Sequence, residues 1–425
     1  MRTSDVSITD ASVDFDHVAL AHPLMISGRA IDGFTFTRVR LEAKRRDGAS
    51  AEGQGTTIFS VPWSWPRSEL SVAERDARMR ELTLRLIAAA RGHEPMDPVQ
   101  LWRRLYGDLD RSSAAAAGEE AMPRLAALLA LGAVDSAVHD AWAKAAGTPA
   151  HLLYTSDHLS EDLSFVGSHQ LVGAYPSDFL TEPKPRLPIQ HLVGTGDPLY
   201  PQEAARGESS LVDWLKTDRP QFLKVKTSGA SVAEDAERIA RVRQAAASVG
   251  LDPALSVDPN EAYADTRQLA DLLDHLERRR VVISFIEQPF PRGMDAPGLA
   301  GVRTRVPILL DEGFTRIDDL QTLAERGWSG VVIKTAKGQT PALLAHSFAR
   351  ATGCAVTLQD LTTVDAALEH SARLASVFSL DSPHFECNSR QYAPSGNDAL
   401  ARRRPGLVEV VDGFISVSEP QPGIY

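Results

Sequence analysis

Six short runs of aliphatic and β-branched residues in this chain of 425 residues end in positions that could do chemistry. They are Phe222-Leu-Lys-Val-Lys226, Ala254-Leu-Ser-Val-Asp258, Ile283-Ser-Phe-Ile-Glu287, Pro307-Ile-Leu-Leu-Asp311, Gly330-Val-Val-Ile-Lys334 and Ala355-Val-Thr-Leu-Gln359. Asp258, Glu287 and Asp311 close three consecutive runs, and three carboxylates brought to one centre repel one another. A hard divalent cation relieves that repulsion, and oxygen-only ligands suit Mg²⁺ better than Zn²⁺, which prefers His and Cys. The competing use of each acid, taken alone, is to cap a following helix. Lysines flank the trio: Lys224 and Lys226 before it, Lys334 after it. Lys224 and Lys226, two apart on an extended run, share a face, so their like charges and the cation are expected to lower the pKa of at least one toward neutrality, which makes an amine a base.

The elements that must position these residues follow from their spacing. Successive run ends lie 32, 29, 24, 23 and 25 residues apart, close to the length of one strand-plus-helix unit. Parallel strands joined by right-handed crossovers form either a barrel or a doubly wound sheet. Five of the six ends are ionisable, as expected where a barrel assembles a site from several strands, and neither GxGxxG nor GxxxxGK[ST] occurs. The barrel is therefore the expected fold. Ahead of it, Phe34 to Leu41 (FTFTRVRL) alternates, Asp47-Gly48 signals a turn and Thr56 to Phe59 is again extended, which together predict an antiparallel sheet. From Ser71 the period becomes 3.6, with Met79, Leu82 and Leu86 and then the Ala-rich stretch Leu125 to Ala146, which Gly147-Thr148-Pro149 ends. These changes divide the chain into an α+β domain over 1–150, the barrel over 151–390 and a C-terminal segment over 391–425. Gly194 to Pro201 (GTGDPLYP) reads equally as a surface insertion or a lid.

Composition narrows the class of partner. With 45 Lys+Arg against 56 Asp+Glu and no dense basic tract, nucleic acid is excluded. The apolar stretch Ala126 to Val134 is less than half of a bilayer span, and Met1 to Asp10 lacks a signal-peptide core, so the expectation is a soluble cytoplasmic protein without a membrane partner. Cys354 and Cys387 are too few for a disulfide framework and form no CxxC pair.

In order and spacing, these motifs resemble the enolase superfamily, in particular its muconate-lactonizing and dipeptide-epimerase branch. The resemblance rests on Lys224-Val-Lys226, Asp258-Pro-Asn260, Glu287-Gln-Pro289, Asp311-Glu312 and Ile333-Lys334-Thr-Ala-Lys337-Gly338. Ala133 to Trp142 with Gly147-Thr-Pro149 resembles the last helix of the family's cap, and Val408 to Phe414 the segment returning to it. It implies an α/β fold: a modified TIM (β/α)7β barrel with an α+β N-terminal capping domain completed by the C-terminal segment. It further implies Mg²⁺ held by Asp258, Glu287 and Asp311, with Lys226 and Lys334 as the acid/base pair. Lys224 would tune Lys226 and neutralise the substrate carboxylate, and Asn260, Gln288 and Glu312 would orient the ligands. The implied reaction takes the α-proton of a small carboxylate substrate, as a racemase, epimerase or cycloisomerase. The alternatives are an acid-sugar dehydratase of the same superfamily and a non-catalytic barrel that binds rather than turns over. Homo-oligomerisation is likewise implied by analogy.

Substrate contacts are read from departures. Dipeptide epimerases carry an Asp-x-Asp at the eighth strand, where Ser379-Leu-Asp381-Ser-Pro383 retains one acid. Phe385-Glu386-Cys-Asn388 resembles the Glu-bearing eighth strand of acid-sugar dehydratases, and Thr357-Leu-Gln-Asp360 lacks their seventh-strand His. Asp360, Asp381 and Glu386 are accordingly candidate substrate contacts, together with cap residues around Met25 and Ser60 to Trp65.

Overall fold

The computed structural model describes residues 2–26, 29–118, 120–294 and 296–425. The alternating N-terminal sequence forms an antiparallel sheet of β1 (Val6–Ile26), β2 (Arg29–Arg45) and β3 (Ser50–Phe59), in that order. Near its far end β2 is buried on both sides. Thr35 accepts a hydrogen bond from Arg80 of the helix Val72–Ala90 (2.9 Å), while Phe34 faces a cavity at the barrel mouth. Ser71 and Glu74 close a reciprocal capping box at that helix's start.

The helix Arg124–Ala145 joins the sheet to the rest of the molecule. It is long and apolar enough to cross a membrane, yet its whole apolar window is buried inside the protein, so it serves as a core helix. Small residues let it lie flush on its neighbours. A Cβ at Gly55 of β3 would stand 2.0 Å from Ala133 O, and one at Gly132 would stand 2.3 Å from Ala336 O, just beyond the Lys334 strand end. A side chain at Gly55 would push the sheet off this helix, and one at Gly132 would push the helix off the barrel.

The barrel consists of β4 (Arg186–Val193), β5 (Phe222–Lys226), β6 (Ala254–Asp258), β7 (Phe285–Glu287), β8 (Ile308–Leu310), β9 (Gly330–Ile333), β10 (Ala355–Leu358) and β11 (Phe385–Glu386). All eight are parallel, in the order β10-β9-β8-β7-β6-β5-β4-β11. No backbone ladder joins β10 to β11. Side chains bridge that seam: Asp360 N donates to Glu386 Oε2 (2.9 Å), and Gln359 Nε2 lies 2.9 Å from His384 Nε2. Full α-helices follow β4, β5, β6, β9 and β10, whereas among the described residues β7 is followed only by Leu299–Val302 and β8 by the 3-10 turn Ile317–Leu320. These reduced crossovers account for the two shortest spacings in the sequence.

A final strand, β12 (Phe414–Ser416), pairs antiparallel with β4. The segment Val408 to Phe414 thus lies beside the barrel, a correction to its expected return to the cap. The chain reaches the cap later, where Ile424 N donates to Asp140 Oδ1 (3.1 Å) and Ala150 N to Gly423 O (2.8 Å).

Candidate active site

The three acids end up together because each stands at the carboxyl end of its strand, on the side facing the barrel axis. Asp258, Glu287 and Asp311 are fully buried, at 0% exposure. The loops that follow are stitched across strands. Gln288 Oε1 accepts from Asp311 N (3.0 Å) and Gly313 N (2.9 Å), and Glu261 N donates to Gln288 O (2.8 Å). Asn260 (φ 44°), Glu261 (φ 68°) and Gln288 (φ 35°) all take left-handed backbone conformations, a strain that a β-sheet terminus has no need of and that clusters where side chains must be aimed.

Lysines sit directly over the acids. Lys224 Nζ lies 3.0 Å from Asp258 Oδ2 and 3.4 Å from Glu386 Oε2 and is in contact with Glu287. Lys226 pairs with Asp258 and donates to Asn260 Oδ1 (2.5 Å). Lys334 Nζ lies 3.0 Å from Asp311 Oδ2 and donates to Asp360 O (3.0 Å). Lys226 on β5 and Lys334 after β9 are four strands apart in a ring of eight, so they face each other across the axis. Both line one cavity of about 30 Å³, with Lys224, Asn260, Asp360, Glu386 and Asn388 among the polar residues around it. The hairpin of the N-terminal sheet roofs it with Leu20, Leu24, Ile26, Ile31 and Phe34, and Ser60 and Trp63 join from the cap. Met25 is not in this wall; Leu24 and Ile26, its neighbours on the alternating strand, are.

Of the two β5 lysines, at least one of which was expected to be lowered, Lys224 is shifted the other way. Burial opposes its charge, but Asp258, Glu287 and Glu386 together outweigh burial and hold its pKa well above the ordinary lysine value. Lys334 is also raised, because Asp311 overcomes burial. Burial pushes Glu287 up, and the neighbouring Asp258 adds to it, whereas the two lysines on Asp258 outweigh its burial and hold it well below the carboxylate range. Burial, followed by Asp311 and Asp258, lifts Glu312 to about 7. Asp360 also rises to about 7, from burial and then the Glu386 charge.

The residues fit a hard cation by the chemistry of the donor set: the carboxylate oxygens of Glu287 and Asp311 are buried without a hydrogen bond of good geometry, and their charge is offset by ion pairs to Lys224, Lys334 and Lys337. Such oxygens are costly unless an ion or a proton satisfies them. The side chains are gathered onto the lysines, and among the described residues no group of three or more His, Cys, Asp or Glu stands in metal-holding geometry. Metal uptake would therefore have to draw the carboxylates off the ammonium groups.

Residues 210–424 match the family model described as enolase C-terminal domain-like. The chain belongs to that family. A 210-residue stretch is 30% identical to the aromatic dipeptide epimerase of Herpetosiphon aurantiacus; it spans 47% of this chain and only 55% of that relative. The dipeptide epimerase of Enterococcus faecalis V583, solved with Mg and the dipeptide L-Leu-L-Tyr, superposes with a TM-score of 0.67 at 16% identity, covering 98% of each chain. The muconate lactonizing enzyme of Pseudomonas fluorescens gives 0.66 at 18%, covering 99% of this chain and 96% of that one. At these identities the likeness is one of fold: the capped, modified barrel of the enolase superfamily.

Of the candidate residues, Lys224, Lys226, Lys334, Asp258, Glu287, Asp311, Asn260, Gln288, Glu312, Asp360 and Glu386 gather at this end of the barrel. Asp381 does not. It is exposed, and its Oδ2 accepts from Val356 N (2.7 Å) at the amino end of β10 and pairs with Arg350. The eighth strand begins only at Phe385, so Asp381 lies ahead of it rather than at its end. Gly194 to Pro201 is pinned by Arg238 Nη2, which donates to Asp197 O (2.9 Å) and to Gly194 O, and it lines a separate small cavity. Sequence reasoning assigned no role to Lys337, whose Nζ donates to Asp311 O (2.8 Å) and Phe314 O (3.1 Å) and whose burial lowers its pKa to about 8. Its place in the Lys334-x-x-Lys337 spacing was the available signal. The apolar hairpin roof carried none, since alternation alone does not say which sheet end meets the barrel.

Proposed function

We propose that this protein is a divalent-metal-dependent racemase or epimerase that removes and returns the α-proton of a small carboxylate substrate. The observation that carries the reading is the placement of Lys226 and Lys334 on opposed strands, facing one cavity above three buried acids. Asp258, Glu287 and Asp311 would hold Mg²⁺, which when bound holds the substrate carboxylate and offsets the charge that develops as the α C–H bond breaks. Lys226 or Lys334, whichever is neutral, takes the proton onto Nζ from its own face. The opposite ammonium returns a proton to the α-carbon from the other face, and the configuration inverts. Lys224 supplies fixed positive charge beside the carboxylate, and the apolar roof excludes water.

Asp360 offers the substrate an acceptor. Its Oδ1 is held by Leu361 N (2.7 Å), Thr363 N (2.9 Å) and Thr363 Oγ1, while its buried Oδ2 has no hydrogen-bond partner. Asn388 Oδ1, also buried and unpartnered, stands on the same wall. The dehydratase reading finds less support, because no histidine is among the residues lining this cavity.

The test is α-proton exchange in D₂O, with Mg²⁺ and a panel of dipeptides and N-acyl amino acids of both α-configurations. Lys226→Ala and Lys334→Ala should each lose about 10²- to 10⁴-fold in racemisation, while one variant still exchanges the L substrate and the other the D. Full racemisation by either variant would exclude the two-base reaction. Mg²⁺ and ligand uptake without exchange would instead favour the non-catalytic barrel.

A further inference from the structure

One cap residue touches the supports of both lysines. Trp63, in the short helix Val61–Ser64, is 2% exposed and stands in the barrel mouth. Lys334 Nζ lies 5.5 Å from its ring centroid and Lys337 Nζ 5.9 Å, within cation–π range. Its indole Nε1–H donates to Glu312 Oε1 (2.8 Å), and the same oxygen accepts from Asn260 Nδ2 (2.9 Å). Asn260 Oδ1 in turn accepts from Lys226 Nζ (2.5 Å).

The backbone of Trp63 is fixed as firmly as its ring. Arg292 Nη2 donates to Trp63 O (2.9 Å), and Arg292 is itself held by both carboxylate oxygens of Glu261 (2.9 and 2.7 Å), the residue after Asn260. A residue placed only to fill space would not need its carbonyl, its indole N–H and its ring face each engaged by a different barrel loop. Glu312 Oε2 has no hydrogen-bond partner, so Oε1 carries both the indole and the Asn260 bonds. Losing the indole donor would free that carboxylate to turn and would unfix the amide that presents Oδ1 to Lys226.

We infer that Trp63 is a positioning residue that ties seating of the cap to both bases, its ring face setting Lys334 and its indole N–H, through Glu312 and Asn260, setting Lys226. This rests on the reading of those lysines as the two bases. It separates the two functions of one side chain: Trp63→Phe keeps a ring face and removes the donor, whereas Trp63→Leu removes both.

The experiment reads the full chain without substrate, so failure to find turnover would bear on the proposed reaction and not on this inference. Initial rates of acetylation by isotopically labelled acetic anhydride are followed at each lysine by tandem mass spectrometry. Trp63→Phe should raise the rate at Lys226 by about fivefold or more and change Lys334 by less than about twofold, a coupling typical of residues in one hydrogen-bonded network. Trp63→Leu should raise both. Asn260→Ala should reproduce the Lys226 effect, and adding Trp63→Phe to it should bring no further rise. The inference is overturned if Trp63→Phe leaves Lys226 unchanged, if the Trp63 and Asn260 effects add, or if the half-buried Lys184 rises in parallel, which would mark a general loosening of the fold.

Discussion

Phe285 and Glu287 are two residues apart on β7 and point into the same barrel, yet one belongs to an apolar layer and the other to a layer of buried charge. The same step recurs on β8 from Leu309 to Asp311 and on β9 from Val332 to Lys334. Phe285, Leu309 and Val332 pack on one another near the amino end. One layer up, the acids and lysines are equally buried, and Glu287 and Asp311 rest on ammonium groups, Lys224 on the first and Lys334 on the second, without a hydrogen bond of good geometry to their carboxylate oxygens. Two layers with one backbone and one degree of burial thus differ in what they contribute: the lower one stabilises the barrel by apolar packing, and the upper one holds buried charges paired with one another, a weak source of stability whose partners a ligand can exchange.

That contrast can be broken from either side. The largest stability effect belongs to the lower layer. Phe285→Ala should cost about 3–5 kcal/mol through lost burial and the remaining cavity, measured by denaturant unfolding, while Mg²⁺ affinity stays unchanged. A smaller loss with altered metal affinity would mean that the layers are not separable.

In the upper layer the effect should depend on pH. Folding raises the Asp360 pKa from 3.8 to about 7, so the folded state favours its protonated form. Its support for the fold is complete below 3.8 and is lost as pH rises to about 7. Relative to Asp360→Asn, the wild-type protein should therefore lose up to about 4 kcal/mol across that window and no more above it. Paired unfolding curves from pH 4 to 8 check this, and a pH-independent difference would contradict it. The smallest effect is expected outside both layers: Asp381→Asn should change stability by less than about 1 kcal/mol and leave α-proton exchange untouched.

The upper layer was legible in sequence because an ionisable residue is costly at the end of a buried aliphatic strand, and its recurrence at nearly regular spacing marks strand ends that converge on one site. Lys226, Asp258, Glu287, Asp311 and Lys334 needed only strand periodicity to be placed. The lower layer was less visible, since Phe285 and Leu309 read like any core residues. Asp381 misled because the chain between β10 and the eighth strand offers an acid at a plausible distance, and the strand start at Phe385 is fixed by pairing with β4, which is remote in sequence. Trp63 was reachable only as part of a range. Its partner Glu312 is 249 residues away, and no local pattern encodes that contact.

Asp258, Glu287 and Asp311 are proposed to form a divalent-cation site between the lysines. Calorimetric titration of the metal-free protein with Mg²⁺ tests it most directly, alongside Glu287→Gln and Asp311→Asn, which preserve shape and remove charge. Saturable uptake of one Mg²⁺ per chain by the wild-type protein, lost in both variants, is the expected result. Absence of uptake by the wild-type protein, or equal uptake by all three, would contradict it.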